Sequence, residues 1–269
     1  MKRIFNILSI LLLPFVLAAQ QDSSFRHIKT IKGDIVDFTV DNLDNIYIIN
    51  SKNQIRKIDA NGDSVAAFND VRKFGKATFI DASNPLKVLL YYKDFTTVVM
   101  LDRLLNIRNS IDLRKQNIFQ VKAIGQSYDN RIWIYDELEN KLKKMDEDGK
   151  ILLETPDFRF LLGKSISPVK IFDENKYVYL CDSINGIYVF DYFGALKNNI
   201  LIQHWQNLKV VGNFIFGSRS DTLYRYEIKN FRYDEWKMPE ELSQSKAFNF
   251  TSSRLYALKN DAIEIYSFR

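Results

Sequence analysis

Residues 34–62 read DIVDFTVDNLDNIYIINSKNQIRKIDANG. Val36, Phe38 and Val40 alternate with polar or small neighbours, the period of a half-buried strand. Asn42-Leu43-Asp44-Asn45 is a turn, and Ile46-Tyr47-Ile48-Ile49 is an apolar run. Ser51-Lys52-Asn53 turns again before Ile55, Lys57 and Ile58 lead to the turn signal Asp59-Ala60-Asn61-Gly62. Three short strands joined by two polar turns make one unit.

The unit recurs. An apolar strand ending in or near a polar residue appears as Ile55–Asp59, Val98–Asp102, Leu142–Asp146, Ile187–Asp191, Leu223–Glu227 and Ile263–Ser267, in steps of 43, 44, 45, 36 and 40 residues. A second apolar marker precedes each one: Ile46–Ile48, Val88–Leu90, Ile132–Ile134, Tyr177–Tyr179, Phe214–Phe216 and Leu255–Ala257. A period near 40 with short strands predicts an all-β, six-bladed β-propeller of four-stranded antiparallel blades. In each blade, strand a is inner, b and c are middle, and d is outer. The expected blades span 34–70, 75–113, 119–157, 166–203, 206–239 and 245–269. Blade 6 runs out after strand c, and residues 24–32, SFRHIKTIK, have strand character and no blade of their own. They are expected to close the ring as its outer strand. Trp133, Tyr179 and Phe216 fall on corresponding b strands and are expected in the core.

Lys2 and Arg3, then an apolar run from Ile7 to Leu17 and the small residues Ala18-Ala19, read as a signal peptide over 1–19, cleaved before Gln20. The alternative is an uncleaved anchor. No Cys stands near the cleavage point, which argues against a lipoprotein. The remainder, 20–269, reads as one propeller domain in the periplasm or cell envelope. Loss of Lys2 and Arg3 takes the formal charge from +5 to +3, too mild to suggest nucleic acid. The single Cys181 has no internal partner and sits in an apolar run.

Blade 1 resembles an NHL repeat of the six-bladed NHL-repeat and TolB-like superfamily, through Val36, Asp41, Asn45-Ile46-Tyr47, Asn50, Asn53, Ile55, Ile58-Asp59 and Gly62. Blade 4 is similar, through Tyr177–Tyr179, Asp182, Asn185, Ile187–Asp191 and Gly194. The resemblance implies the fold. It leaves function open, because the superfamily holds enzymes, ligand binders and scaffolds. Its lactonase-like hydrolases hold a divalent metal in the central channel, which calls for carboxylate or amide oxygens from several inner strands. Here the inner strands begin near Asp37, Lys76, Lys122, Lys170, Lys209 and Lys246, a set expected at the channel mouth and repellent to a cation. The bland reading is that each Lys is a solvated strand start.

The loops joining one blade to the next carry Arg72-Lys73-Phe74, Arg114-Lys115, Phe158-Arg159-Phe160 and His204-Trp205. These ten residues are expected on one basic, aromatic face, the composition of protein-binding hot spots. Acids crowd the opposite turns, where Asp also serves local hydrogen bonding. No G-x-S-x-G elbow, phosphate loop or zinc spacing occurs. No catalytic residue, metal or cofactor is therefore assigned. The sequence points to an exported, monomeric, non-enzymatic propeller that binds a protein partner, an acidic one being suggested by the basic face, or otherwise to a hydrolase or small-ligand binder using the channel.

Overall fold

The computed structural model describes residues Phe25–Phe268; the expected leader, 1–19, lies outside them. Strand β1 (Phe25–Lys32) opens the described chain. Blade 1 holds β2 (Asp37–Val40), β3 (Ile46–Ile49), β4 (Ile55–Ile58) and β5 (Ser64–Phe68). Blade 2 holds β6 (Phe79–Asn84), β7 (Lys87–Tyr92), β8 (Thr97–Asp102) and β9 (Ile107–Asp112). Blade 3 holds β10 (Val121–Gln126), β11 (Ile132–Asp136), β12 (Lys141–Met145) and β13 (Ile151–Glu154). Blade 4 holds β14 (Lys170–Glu174), β15 (Tyr177–Asp182), β16 (Gly186–Asp191) and β17 (Leu196–Ile200). Blade 5 holds β18 (Gln206–Val211), β19 (Phe214–Arg219), β20 (Thr222–Glu227) and β21 (Arg232–Lys237). Blade 6 holds β22 (Ala247–Phe250), β23 (Arg254–Lys259) and β24 (Ala262–Phe268), and β1 pairs antiparallel with β24 as its fourth strand. The inner strands touch in sequence, β2 to β6, β10, β14, β18, β22 and back to β2. Six four-stranded antiparallel sheets thus form a closed ring.

The cores lie between blades. Each of six apolar clusters draws its residues from two neighbouring sheets, because both faces of a blade are covered by its neighbours. That is why the b strands read as unbroken apolar runs. Trp133, Tyr179 and Phe216 are all buried, as their alignment predicts.

The recurring acid at the end of strand c has a local cause. Asp59, Asp102, Asp146 and Asp191 each accept hydrogen bonds from the backbone N–H groups two and four residues on. The residue three positions on has positive φ: Gly62 at 88°, Leu105 at 62°, Gly149 at 91° and Gly194 at 83°. Glycine meets that demand without strain. The acidic turns are therefore built by turn chemistry, the local explanation weighed in the sequence reading.

Candidate functional site

In each blade the chain enters along strand a, so the b–c turns and the loops to the next blade share one face. The a–b and c–d turns share the other. Hydrogen bonds knit the first, here the loop face: Leu113 N donates to Thr96 O at 3.0 Å, Phe158 N to Asn140 O at 2.9 Å, and Met238 N to Asp221 O at 2.7 Å. Each ties an inter-blade loop to the b–c turn of the blade it leaves.

Three of these loops carry a single helical turn: α1 (Val71–Phe74), α2 (Phe158–Leu162) and α3 (Glu240–Ser243); a fourth has a 3-10 turn at Leu113–Gln116. Each sinks one side chain into the seam between blades: Phe74, Phe158, Leu242 and Leu113. Trp205 fills the same role between blades 4 and 5. This corrects the expected hot-spot set. Phe158 is fully buried and Trp205 is 4% exposed, and Phe74 joins them in the core, so none of the three is a free surface anchor. Their aromatic bulk seals seams.

The charged members do reach the surface. Arg72, Lys73, Arg114, Lys115, Arg159 and His204 are exposed on the loop face. Two are partly neutralised at once. Arg114 pairs with Asp112 at 2.8 Å, and Arg159 pairs with Asp157. These are charge-assisted forks closed within one loop. Arg72, Lys73 and Lys115 form no ion pair among the described residues.

Besides Phe160, one of the ten, the face carries exposed apolar side chains that the sequence reading missed. Phe160 is 88% exposed, and Phe119, Leu138, Ile184 and Leu201 also stand in solvent. They come from b–c turns and inter-blade loops of blades 3 and 4, so topology brings them to one face. Between blades 4 and 5 a groove of about 280 Å3 adds His204 and Arg219, with Trp205 stacked on Tyr224 at 4.8 Å along its wall. Trp205 thus lines a groove although its own surface is nearly all covered.

The channel differs from a ring of lysines. Lys76 and Lys246 stand exposed ahead of their strands, and Lys122 turns to Glu137 at 3.5 Å. Lys170 and Lys209 are the ones enclosed by the ring, with Asp81 close enough to act on both electrostatically and Asp37 on Lys170. Lys170 keeps exposed surface, yet protein surrounds it. Burial lowers the pKa of its amino group, against the opposing pull of Cys181, Asp37 and Asp81. Burial lowers that of Lys209 as well, with Asp81, Asp41 and Glu174 opposing and Lys170 adding to the effect. Among the described residues no group of three or more His, Cys, Asp or Glu side chains is arranged to hold a metal ion.

The sequence matches no protein-family profile and no curated protein. Solved structures share its shape. Virginiamycin B lyase from Staphylococcus aureus superposes with a TM-score of 0.61 at 13% identity, over 91% of this chain and 100% of that one. The Cps50 (Swd1) β-propeller domain of Myceliophteria thermophila gives 0.61 at 10% identity, over 91% and 100%. The Neurospora crassa Pan2 WD40 domain gives 0.60 at 12% identity, over 87% and 79%. A lyase and WD40-type propellers alike resemble it, so the likeness fixes the fold and no activity. Among the described residues no helix is long and apolar enough to cross a membrane.

Proposed function

We propose that this chain is an exported, non-enzymatic propeller of NHL-repeat type that binds an acidic protein partner through its loop face. The observation that carries the reading is the set of exposed apolar side chains Phe119, Leu138, Phe160, Ile184 and Leu201 on the same face as the unpaired cations Arg72, Lys73 and Lys115. Exposed apolar and aromatic side chains that share a face with arginines have the composition of an interface. The cations favour an acidic partner by raising the rate of encounter. The expected leader over 1–19 supports a periplasmic or cell-envelope location. N-terminal mass spectrometry tests that placement: a mature chain starting at Gln20 supports it, and a retained Met1 contradicts it.

The binding test compares immobilised wild-type protein with Phe160→Asp and Ile184→Asp variants in an envelope extract. The reading requires a partner that wild type retains and both variants lose, while Tyr128→Ala, on the opposite face, still retains it. Retention by all three variants would refute the loop face as the interface.

A further inference from the structure

A cavity of about 150 Å3 opens at the turn-face end of the channel, lined by residues of all six blades. That is more space than a single water needs. Acids surround it, which at first suggests a cation site. The hydrogen bonds argue otherwise. Asp41 already accepts from Leu43 N, Asn45 N, Asn45 Nδ2 and Tyr47 Oη. Asp173 accepts from Ser127 Oγ, Tyr128 N, Trp133 Nε1 and Tyr192 Oη. Asp44 is taken by Thr251, Tyr256 and Arg254, and Asp81 by the backbone of Ser83 and Gln126. Each of these carboxylates is tied into the fold, and all four acceptor sites of Asp41 are in use.

Gln126, Lys209 and Glu174 are further polar groups at the cavity. Gln126 is 4% exposed, and its Nε2 donates to Asp81 O at 3.1 Å and Lys87 O at 2.9 Å. Those two bonds fix the amide's orientation and leave Oε1 buried without a donor. A buried acceptor left unpaired is costly, and a ligand hydroxyl or N–H placed against it relieves that cost. Lys209 Nζ, on the cavity wall, makes no hydrogen bond or ion pair among the described residues and lies 5.8 Å from the centre of the Phe172 ring. Glu174 also lines the cavity, where burial raises its pKa against the opposing backbone hydrogen bond from Gly212. Ile171, Phe172, Val210 and Phe250 supply apolar walls. A neutral molecule rich in hydroxyls meets these demands together: it donates to Gln126, accepts from Lys209, and brings C–H surface to the walls. A full positive charge would meet Lys209 and carboxylates already tied into the fold.

The cavity does not end at the mouth. A groove of about 580 Å3 continues from Asp173 and Glu174 over Tyr128, Tyr192 and Phe193. Tyr128 and Tyr192 stack at 4.5 Å, and Phe193 is 87% exposed. Exposed rings rimmed by carboxyl and amide groups suit the C–H faces and hydroxyl edges of a sugar. We propose that the turn-face mouth of the channel binds the end of a neutral oligosaccharide, with one ring in the axial cavity and the next against Tyr128 and Phe193. The site lies on the face opposite the proposed protein interface.

Saturation-transfer NMR on the full folded chain tests this with glucose, N-acetylglucosamine, maltose, cellobiose and chitobiose as free probes. At least one disaccharide should show transfer, more strongly than its monosaccharide. Tyr128→Ala, at an exposed turn, and Lys209→Met, of similar length without the charge, should each weaken binding about tenfold, the effect of one lost good contact. Phe160→Asp should leave it unchanged, which separates this site from the loop-face reading. Absence of transfer from all five sugars would overturn the proposal. So would transfer that both turn-face variants leave intact, or stronger binding of the diamine putrescine than of any sugar.

Discussion

Trp133 shows how one side chain holds two blades. Its ring is buried between blades 3 and 4, and its Nε1 donates to Asp173 of the next blade at 3.0 Å. Trp133→Ala should cost about 3–5 kcal/mol, read as a shift in the urea midpoint. Asp182 offers a pH test. Burial disfavours its charge, but donors from Ser167 N, the Asn185 side chain and the backbone of Asn185 and Ile184 outweigh burial and lower its pKa from 3.8. A depressed folded-state pKa adds stability that is present above the unfolded value and lost as pH falls through the folded one. Asp182→Asn should therefore destabilise by roughly 1–3 kcal/mol at pH 7, and the gap to wild type should narrow as pH drops below 3.8. A gap independent of pH would refute the assignment. Cys181 is fully buried, and burial pushes its thiol up to about 12, so a thiol reagent should label it only after unfolding. Its burial was legible from the apolar run around it. The unpaired Gln126 acceptor was not, because only the folded ring brings Asp81 O and Lys87 O to its amide.

At the scale of the element, the inter-blade loops explain both the success and the failure of sequence reading. The acid-then-turn marker was legible because the c–d turn is local: Asp, then a positive-φ residue three positions on, all within five residues. The loop aromatics were misjudged because their fate is set by a seam between two sheets distant in sequence. Phe158 and Phe160 are two residues apart, and one is sealed while the other is bare. Phe158→Ala should lower stability by about 3–5 kcal/mol. Phe160→Ala should change it by less than about 0.5 kcal/mol, the usual range for surface substitutions. Thermal melts of the two variants check the pair; equal losses would mean that α2 sits differently on the seam.

For the whole molecule, the repeat period announced the ring before any contact was known, since two markers moving together through six units leave few alternatives. Charge was harder to place. Arg114 and Arg159 count towards a basic face by composition, yet each is held by an Asp two residues before it. Capture of an acidic partner should weaken with added salt, because screening sets in over about 8 Å at physiological ionic strength. Deleting residues 24–32 removes the fourth strand of blade 6 and bares the edge of β24. That truncation should aggregate or melt well below wild type.

The pairing of β1 with β24 joins Phe25 to Phe268 and Lys32 to Ala262. A ribosome delivers one of these partners at the start of synthesis and the other more than two hundred residues later. At typical elongation rates of about 5–20 residues per second, the first strand waits ten seconds or more for its mate. Five blades can assemble while the chain is still being made, but the latch can shut only afterwards. The last event in maturation is then a long-range β closure, slow by its topology. Newly made chains would pass through an open, sticky-edged arc, and a holding chaperone would find its client there.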